Sequence, residues 1–440
     1  MRLLRVRAGI TSDFGIPSAP HLRHIWVPKP LVIPARTLKV LPPLCALLLA
    51  GCGENAGDLP TDFTDRGGLE RELVSVALRP SSHASVVGER ANGNAFAVHV
   101  GQNEGVRAAG LFHFPLADSS GAPYLSEGDT LIEATLSFAT LRRRPLVGDQ
   151  VVEVWAVCGA WDEDSLRTTN EAAPTVVDDL ICGGIPLGEA VFSAGDTSTA
   201  TVPMALDDAK EWMNDPSDNL GVALLPVGDP AMSALSSITA AAPAHLTLVV
   251  RNEGRSRIFS VLPDQDTYAV AISDPAAFDD PSARITVQNG LARRGLMEFD
   301  LSSIPARATV LSAKLVLIPD AGGTWGFNPG FGLEVHEAEA ENWRGSFTNL
   351  EGDAFPGTTV DLFELGELLL DSLAMNVQVP VQRWVNEPET NRGFLFRTTA
   401  EVGDVSYVSF FAGDAPVDSL PRLEIQYVTA GEGRFGGGGS

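Results

Sequence analysis

The chain has 440 residues, 44% hydrophobic and 20% charged, a globular composition rather than a disordered or multispanning one. Its 31 Lys and Arg face 56 Asp and Glu, and a formal charge of −25 repels phosphate backbones, which argues against nucleic acid as a partner. The length allows roughly two to four domains, and four Lys with five His beyond residue 51 offer little material for a Schiff base or a histidine-rich metal site.

Taken in chain order, residues 1–31 contain several Pro and are unlike a secretory leader. No Met lies between Met1 and Met204, so translation from a non-Met codon near Val32 is expected. Arg36 and Lys39 then precede a short apolar run, Val40 to Cys52, which has the layout of a secretory signal over 1–51. The run is too short for the ~20 residues of a membrane-spanning helix. Its end, Leu49-Ala50-Gly51-Cys52, resembles the lipobox of bacterial lipoproteins. That resemblance implies cleavage before Cys52, lipidation of Cys52, and an anchored protein of the bacterial envelope, at the outer membrane or cell surface. Cleavage would take the formal charge from −25 to −31. Residues 52–70, lipidated Cys and Gly-rich polar stretch, read as a flexible tether.

Beyond residue 70 the pattern alternates with period two and is broken by Gly, Pro, Asn and Asp. Ala95 to Val100, Val151 to Trp155, Leu246 to Val250 and Leu423 to Tyr427 are examples. Short alternating strands between turn signals predict an all-β chain of antiparallel sandwiches. Helical periodicity is confined to Ala205–Asn214 and Leu365–Ala374. With Cys45 in the signal and Cys52 lipidated, Cys158 and Cys182 are left to pair as a disulfide in an oxidising compartment. Free thiols or a metal pair would be the alternative, but no His or further Cys lies near them.

The body repeats. Gly110 to Leu116 answers Gly295 to Leu301, and Leu131 to Leu136 answers Val310 to Leu315. Trp212-Met213-Asn214-Asp215-Pro216 runs on to Asn219 and Gly221, and Trp384-Val385-Asn386-Glu387-Pro388 runs on to Asn391 and Gly393. Two tandem domains are therefore expected, 71–251 and 256–429, joined near Asn252-Glu253-Gly254 and followed by a flexible Gly-rich tail, 430–440.

The segment Phe299-Asp300-Leu301-Ser302-Ser303-Ile304-Pro305, followed by Leu311 to Leu317, resembles the signature of DNRLRE-type domains. The Trp384 segment leading into Phe394-Leu395-Phe396-Arg397, and Pro421-Arg422-Leu423-Glu424-Ile425, resemble the same family. The first half is more divergent: it keeps Trp161-Asp162-Glu163-Asp164-Ser165 but has Phe114-Pro115-Leu116 in place of Phe-Asp-Leu. The resemblance implies jelly-roll-like sandwiches of the carbohydrate-binding-module kind, some of whose members bind alginate-like polysaccharide, and which are mostly not catalysts.

Trp212 and Trp384 are expected in the core, because a core position explains their presence in both halves. Trp325, in a Gly-rich loop, is the aromatic best suited to stack on a sugar ring; a plug over one end of a sandwich is the rival reading. Arg142, Arg143 and Arg144 and the pair Arg293 and Arg294 are candidates to read the carboxylates or sulfates of an anionic glycan, against a local role balancing neighbouring acids. Arg251, Arg255 and Arg257 crowd the junction between the halves. Asp162-Glu163-Asp164, Asp178-Asp179, Asp264 to Asp266 and Asp279-Asp280 could offer oxygens to calcium, but no EF-hand spacing is present and solvated loops account for them equally. No cofactor is required by the sequence. No nucleophile elbow, His-Glu-x-x-His or phosphate loop occurs, so no catalytic residues are assigned. The expectation is a lipid-anchored, non-enzymatic protein binding polysaccharide or extracellular matrix. An adhesive lipoprotein that binds protein, and a polysaccharide lyase or hydrolase, are the alternatives.

Overall fold

The computed structural model describes residues 72–429 except 88–90, 104, 118–122, 147, 167–174, 196, 215, 217, 229, 273–282, 327–329, 339–353, 360–362 and 365–370. All belong to one compact unit, Thr64–Ser440. The expected signal region, Cys52, the expected tether and the Gly-rich tail lie outside the described residues, as do Asp279 and Asp280. No helix among the described residues is long and apolar enough to cross a membrane.

The chain is all-β. Its first half contains β1 (Leu73–Leu78), β2 (Pro80–Val87), β3 (Ala97–Asn103), β4 (Val106–His113), β5 (Thr130–Arg144), β6 (Gln150–Ala156), β7 (Gly188–Phe192), β8 (Thr199–Pro203), helix α1 (Leu206–Asn214), β9 (Val222–Val227), β10 (Ala231–Ser236) and β11 (His245–Asn252). The second half runs β12 (Arg255–Val261), β13 (Gln265–Ile272), β14 (Arg284–Gln288), β15 (Arg293–Phe299), β16 (Thr309–Leu317), β17 (Gly330–Phe331), β18 (Leu333–Glu337), β19 (Ala354–Thr359), β20 (Phe363–Glu364), β21 (Leu373–Asn376), α2 (Gln378–Asn386), β22 (Phe394–Thr398), β23 (Tyr407–Phe411) and β24 (Arg422–Val428).

The chain builds two jelly-roll-like sandwiches, each of two antiparallel sheets. In sandwich 1 the front sheet is β12-β11-β5-β8. Its back sheet is β7-β6-β9-β4-β3-β10, with β13 also on β4. The long strand β5 joins the two, pairing through Thr130–Ser137 with β11 and through Thr140–Arg144 with β10. In sandwich 2 the front sheet is β1-β24-β16-β21 and the back sheet β19-β18-β22-β15-β14-β23, with β2 also on β15. Period-two alternation is the cause: one side of each strand is apolar and turns inward, and the other faces solvent or a covering segment. Phe112, Phe138, Leu136 and Val152 fill the first core, and Phe299, Leu315, Trp384 and Phe394 the second.

Strand pairing redraws the expected domain boundaries. The strands β12 and β13 open the second repeat, yet β12 pairs with β11 and β13 with β4, both in sandwich 1. Conversely β1 and β2 open the first repeat, yet β1 pairs with β24 and β2 with β15, both in sandwich 2. The two repeats thus exchange their leading two-strand arms. Sandwich 1 comprises 97–272 and sandwich 2 comprises 73–87 with 284–428. A two-residue turn explains half of the exchange: Glu253 and Gly254 have φ of 46° and 80°, the double positive φ of a tight hairpin, which folds β12 directly back onto β11.

The repeated Trp-x-Asn segment serves as a structural clasp. Its Trp ends a short helix, α1 or α2, in each half. The later Asn ties the following loop to the end of a core strand: Asn219 donates from Nδ2 to the Phe114 carbonyl at 2.8 Å, and Asn391 to the Phe299 carbonyl at 2.9 Å. Gly221 and Gly393 follow with φ of 98° and 85°. A Cβ there would stand 2.3 Å from the Phe112 oxygen or 2.5 Å from the Met297 oxygen, so the close approach of backbones admits only Gly. Of the second helix expected from periodicity, Leu365–Ala374, residues 365–370 lie outside the described residues; Leu373–Asn376 is a strand, and a helix follows it as α2, Gln378–Asn386. Pro380 hid it from a periodicity reading, although Pro in a first turn removes no intrahelical hydrogen bond.

Cys158 and Cys182 form the expected disulfide, with Cα atoms 5.0 Å apart. It closes a loop that also holds Asp178, whose two oxygens receive Arg107 at 2.6 and 2.9 Å.

Candidate functional site

The outer face of the front sheet of sandwich 2 carries a shallow groove of about 350 Å³. Inward-facing Val310, Ala313, Leu315, Leu423 and Ile425 hold its strands to the core. The alternate residues form two rows across three strands. One row is Ser75–Gln426–Ser312, the other Ala77–Glu424–Lys314. Small side chains on β1 and at Ser312 leave the depression, while Gln426, Glu424 and Lys314 surround it with donors and acceptors. Arg422 donates to Glu424 at 2.7 Å and orients that carboxylate. The same address on sandwich 1 reads Ile258–Val249–Glu133 and Ser260–Thr247–Thr135, so the cation and amide of Lys314 and Gln426 have no counterpart there.

A second exposed feature lies at the edge of the front sheet of sandwich 1. The Arg257 guanidinium stands 5.4 Å over the Phe259 ring, and Phe259 packs on Tyr124 at 5.2 Å. Arg257 also pairs with Asp129. The Ser126 backbone N–H and the Asn252 amide, with Arg257, hold the Asp129 carboxyl below its usual range. Ile258 and Leu262 beside them are 71% and 52% exposed.

The structure divides the cations singled out in the sequence. Arg143, Arg293 and Arg294 are buried, at 1%, 2% and 3% exposure, and are withdrawn from any surface a polysaccharide could reach. Arg294 makes a two-pronged ion pair with Glu401 at 2.6 and 2.9 Å. Arg143 donates to the Ser193 carbonyl at 3.1 Å, and its burial lowers its pKa against the opposing charge of Asp149. The reason is tertiary: β15 is an interior strand between β22 and β2, and the chain around Glu401 covers it. Arg142 and Arg144 are half-buried at the end of β5.

Trp325 is half-buried and exchanges backbone hydrogen bonds with Tyr407 at 3.0 and 2.9 Å. It packs against the first core, which matches the plug rather than an open stacking platform. Trp384 is buried, 4.7 Å from Phe394. Trp212 is only half-buried against the first core, and Trp161 donates its indole N–H to Leu220.

Between the sandwiches runs a buried polar seam. Asn92 donates to the Tyr268 and Gly290 carbonyls at 3.0 and 3.1 Å. Asp404 accepts from Asn289 at 2.8 Å and from the Ser406 N–H at 2.7 Å. His99 packs edge-on against Tyr268 at 4.9 Å, and burial pushes its pKa down to about 4 although Asp404 opposes the shift. Elsewhere burial raises Asp266 to about 6, against a hydrogen bond from the Ile238 N–H.

The acidic clusters are engaged locally: Asp162 accepts from the Asp164 N–H, and Asp178 pairs with Arg107. Among the described residues no three His, Cys, Asp or Glu side chains gather so as to hold a metal ion. The groove was missed as a site in the sequence, and of the Tyr124–Phe259–Arg257 patch only Arg257 was singled out. The groove's signal was present only as alternating Ser, Lys, Glu and Gln on strands whose neighbours the sequence does not specify.

No protein-family model matches the chain, and no curated protein matches it. Among solved structures, one titled BspA_C_WT is 9% identical over 78% of this chain and 91% of that one, with a TM-score of 0.15. The Streptococcus agalactiae AgI/II polypeptide BspA C-terminal domain is 10% identical over 80% and 92%, also at 0.15. The infectious bursal disease virus Gx strain structure is 13% identical over 83% and 78%, at 0.12. Similarities at that level carry no argument about function.

Proposed function

We propose that this is a lipid-anchored, non-catalytic envelope protein that binds polysaccharide on the front face of sandwich 2. The groove of Ser75, Ala77, Ser312, Lys314, Glu424 and Gln426 carries the reading. It is open, as a polymer chain requires, and its side chains match the hydroxyls of a pyranose. Lys314, one of four lysines in the sequence, supplies the cation for a uronate carboxylate in place of the buried Arg293 and Arg294. The lipid anchor rests on the Leu49-Ala50-Gly51-Cys52 segment.

A glycan array read at low and high salt tests the assignment. Binding of uronate polymers that weakens with salt and falls at least tenfold in Lys314→Ala is the expected result. Binding unchanged in both Lys314→Ala and Gln426→Ala, or no binding at all, overturns it. The second reading, an adhesive lipoprotein that grips protein, is favoured by the exposure of Ile258 on the edge strand β12 and of Leu262 just beyond its end. It predicts binding to a protein partner that Ile258→Ser abolishes, and no glycan binding.

A further inference from the structure

The strand β12 lies at the edge of the front sheet of sandwich 1 and pairs only with β11 among the described residues. The two-residue turn Glu253-Gly254 makes Asn252 and Arg255 the hydrogen-bonded pair that flanks it. Such pairs alternate along an antiparallel ladder, so the N–H and C=O groups of Arg255, Arg257 and Phe259 turn toward β11. Those of Ser256, Ile258 and Ser260 turn the other way, to the open side. The edge is a backbone template seven residues long.

Its side chains run against the character of the chain. The formal charge is −25, and elsewhere Arg107 meets Asp178, Arg284 meets Asp320, Arg294 meets Glu401 and Arg397 meets Glu334. Arg255 and its neighbour Arg251 on β11 are exposed, and neither side chain has an ion-pair partner among the described residues. Arg257 follows Arg255 on the same side of β12, over Phe259 and beside Asp129. The opposite side presents Ser256, Ile258 and Ser260, with Ile258 the most exposed of the three strand-borne apolar residues Ile258, Phe259 and Val261.

We propose that β12 takes an extended segment of a partner protein as an added strand, and that acidic residues alternate with apolar ones in that segment. Successive residues of an incoming strand point to opposite faces. Acids at every second position then stand across from Arg255 and Arg257, where opposite charges attract, and the apolar residues between them lie beside Ile258. The outward N–H and C=O groups suit a polypeptide, which offers the matching ladder; a polysaccharide does not. The rest of so acidic a chain repels such a segment, which directs it to this edge. The inference rests on the reading of β12 as a protein-binding edge and names the chemistry of the partner; the groove of sandwich 2 plays no part in it.

Fluorescence anisotropy of the full-length chain with labelled peptides as long as β12 tests this. One peptide alternates Glu with Val, one carries the same residues as a block of Glu followed by a block of Val, and one alternates Gln with Val. The alternating Glu peptide is expected to bind, and each of the others to bind at least fivefold more weakly. Arg255→Glu should weaken the Glu peptide at least fivefold. Ser256→Pro should abolish its binding, because it removes an outward N–H and no bond to β11. Thermal melts that match the wild type show that both variants fold. A Gln peptide bound as tightly as the Glu peptide overturns the proposal while keeping protein at β12. No peptide bound, or binding unchanged in both variants, overturns the proposal together with the reading it rests on. So do a uronate polymer whose binding falls in Arg255→Glu, which assigns the row to glycan, and a dimer that Ser256→Pro dissolves, which assigns the edge to a second copy.

Discussion

The two sandwiches share one strand plan and differ in where they obtain their first two strands. Sandwich 1 takes β12 and β13 from the chain immediately after its last strand. Sandwich 2 takes β1 and β2 from the opposite end of the body. Their front faces differ as well, Ile258–Val249–Glu133 on one against Ser75–Gln426–Ser312 on the other. The difference teaches that a sequence repeat and a folded domain need not be the same unit. The repeat begins at the arm, whereas each fold closes only when the other repeat's arm is seated.

A cut between Glu253 and Gly254 breaks the comparison most decisively. Each fragment then holds the other's arm, so the halves are expected to co-elute on size-exclusion chromatography and to separate only on denaturation. Halves that part under native conditions would contradict the exchange.

The repeated Trp sharpens it next. Trp384 is buried against Phe394, so Trp384→Ala should cost about 3–5 kcal/mol in urea unfolding. Trp212 is half-buried, and Trp212→Ala should cost clearly less. Equal losses would mean that the two clasps bear equal load.

The disulfide belongs to sandwich 1. Replacing Cys158 and Cys182 by Ser opens a loop of separation 24 and should lower stability by about 3 kcal/mol in the chain-entropy model. A thermal melt with and without reductant checks this.

Smallest is the pH dependence, in which two groups oppose each other. His99 has a pKa of about 4 when folded against 6.5 when unfolded, so the unfolded state binds the proton first. Its contribution is present above pH 6.5 and is lost as pH falls through 4. Asp266 is raised to about 6 from 3.8, so its contribution is present below pH 3.8 and is lost as pH rises through 6. His99→Gln should therefore lessen the loss of stability on going from pH 7 to 4.5, and Asp266→Asn should deepen it. Urea midpoints at the two pH values read both, and a His99→Gln chain with an unaltered acid response would remove His99 as the source.

Much of the architecture was legible in the residues themselves. Alternation announced the strands, the matched segments at Phe114 and Phe299 announced the duplication, and Cys158 and Cys182 announced their bond. These are local signals, set by which side of a strand is apolar and by turn chemistry at Gly and Asn. The helix α2 was not anticipated because Pro380 masks its first turn. Arg293 and Arg294 were weighed as glycan contacts against local charge balance, because a pair of adjacent cations on a strand normally puts at least one side chain into water; the Arg294–Glu401 pair matches the second reading. Only the tertiary structure decided that β15 is interior, that Glu401 meets Arg294, and that each arm crosses to the other sandwich. It likewise assembled the groove, whose members come from three strands as far apart in sequence as Ser75 and Gln426. The physical reason is that strand alternation is written in each strand alone, whereas pairing partners are chosen by long-range closure of backbone hydrogen bonds and cores, for which a single strand carries no address.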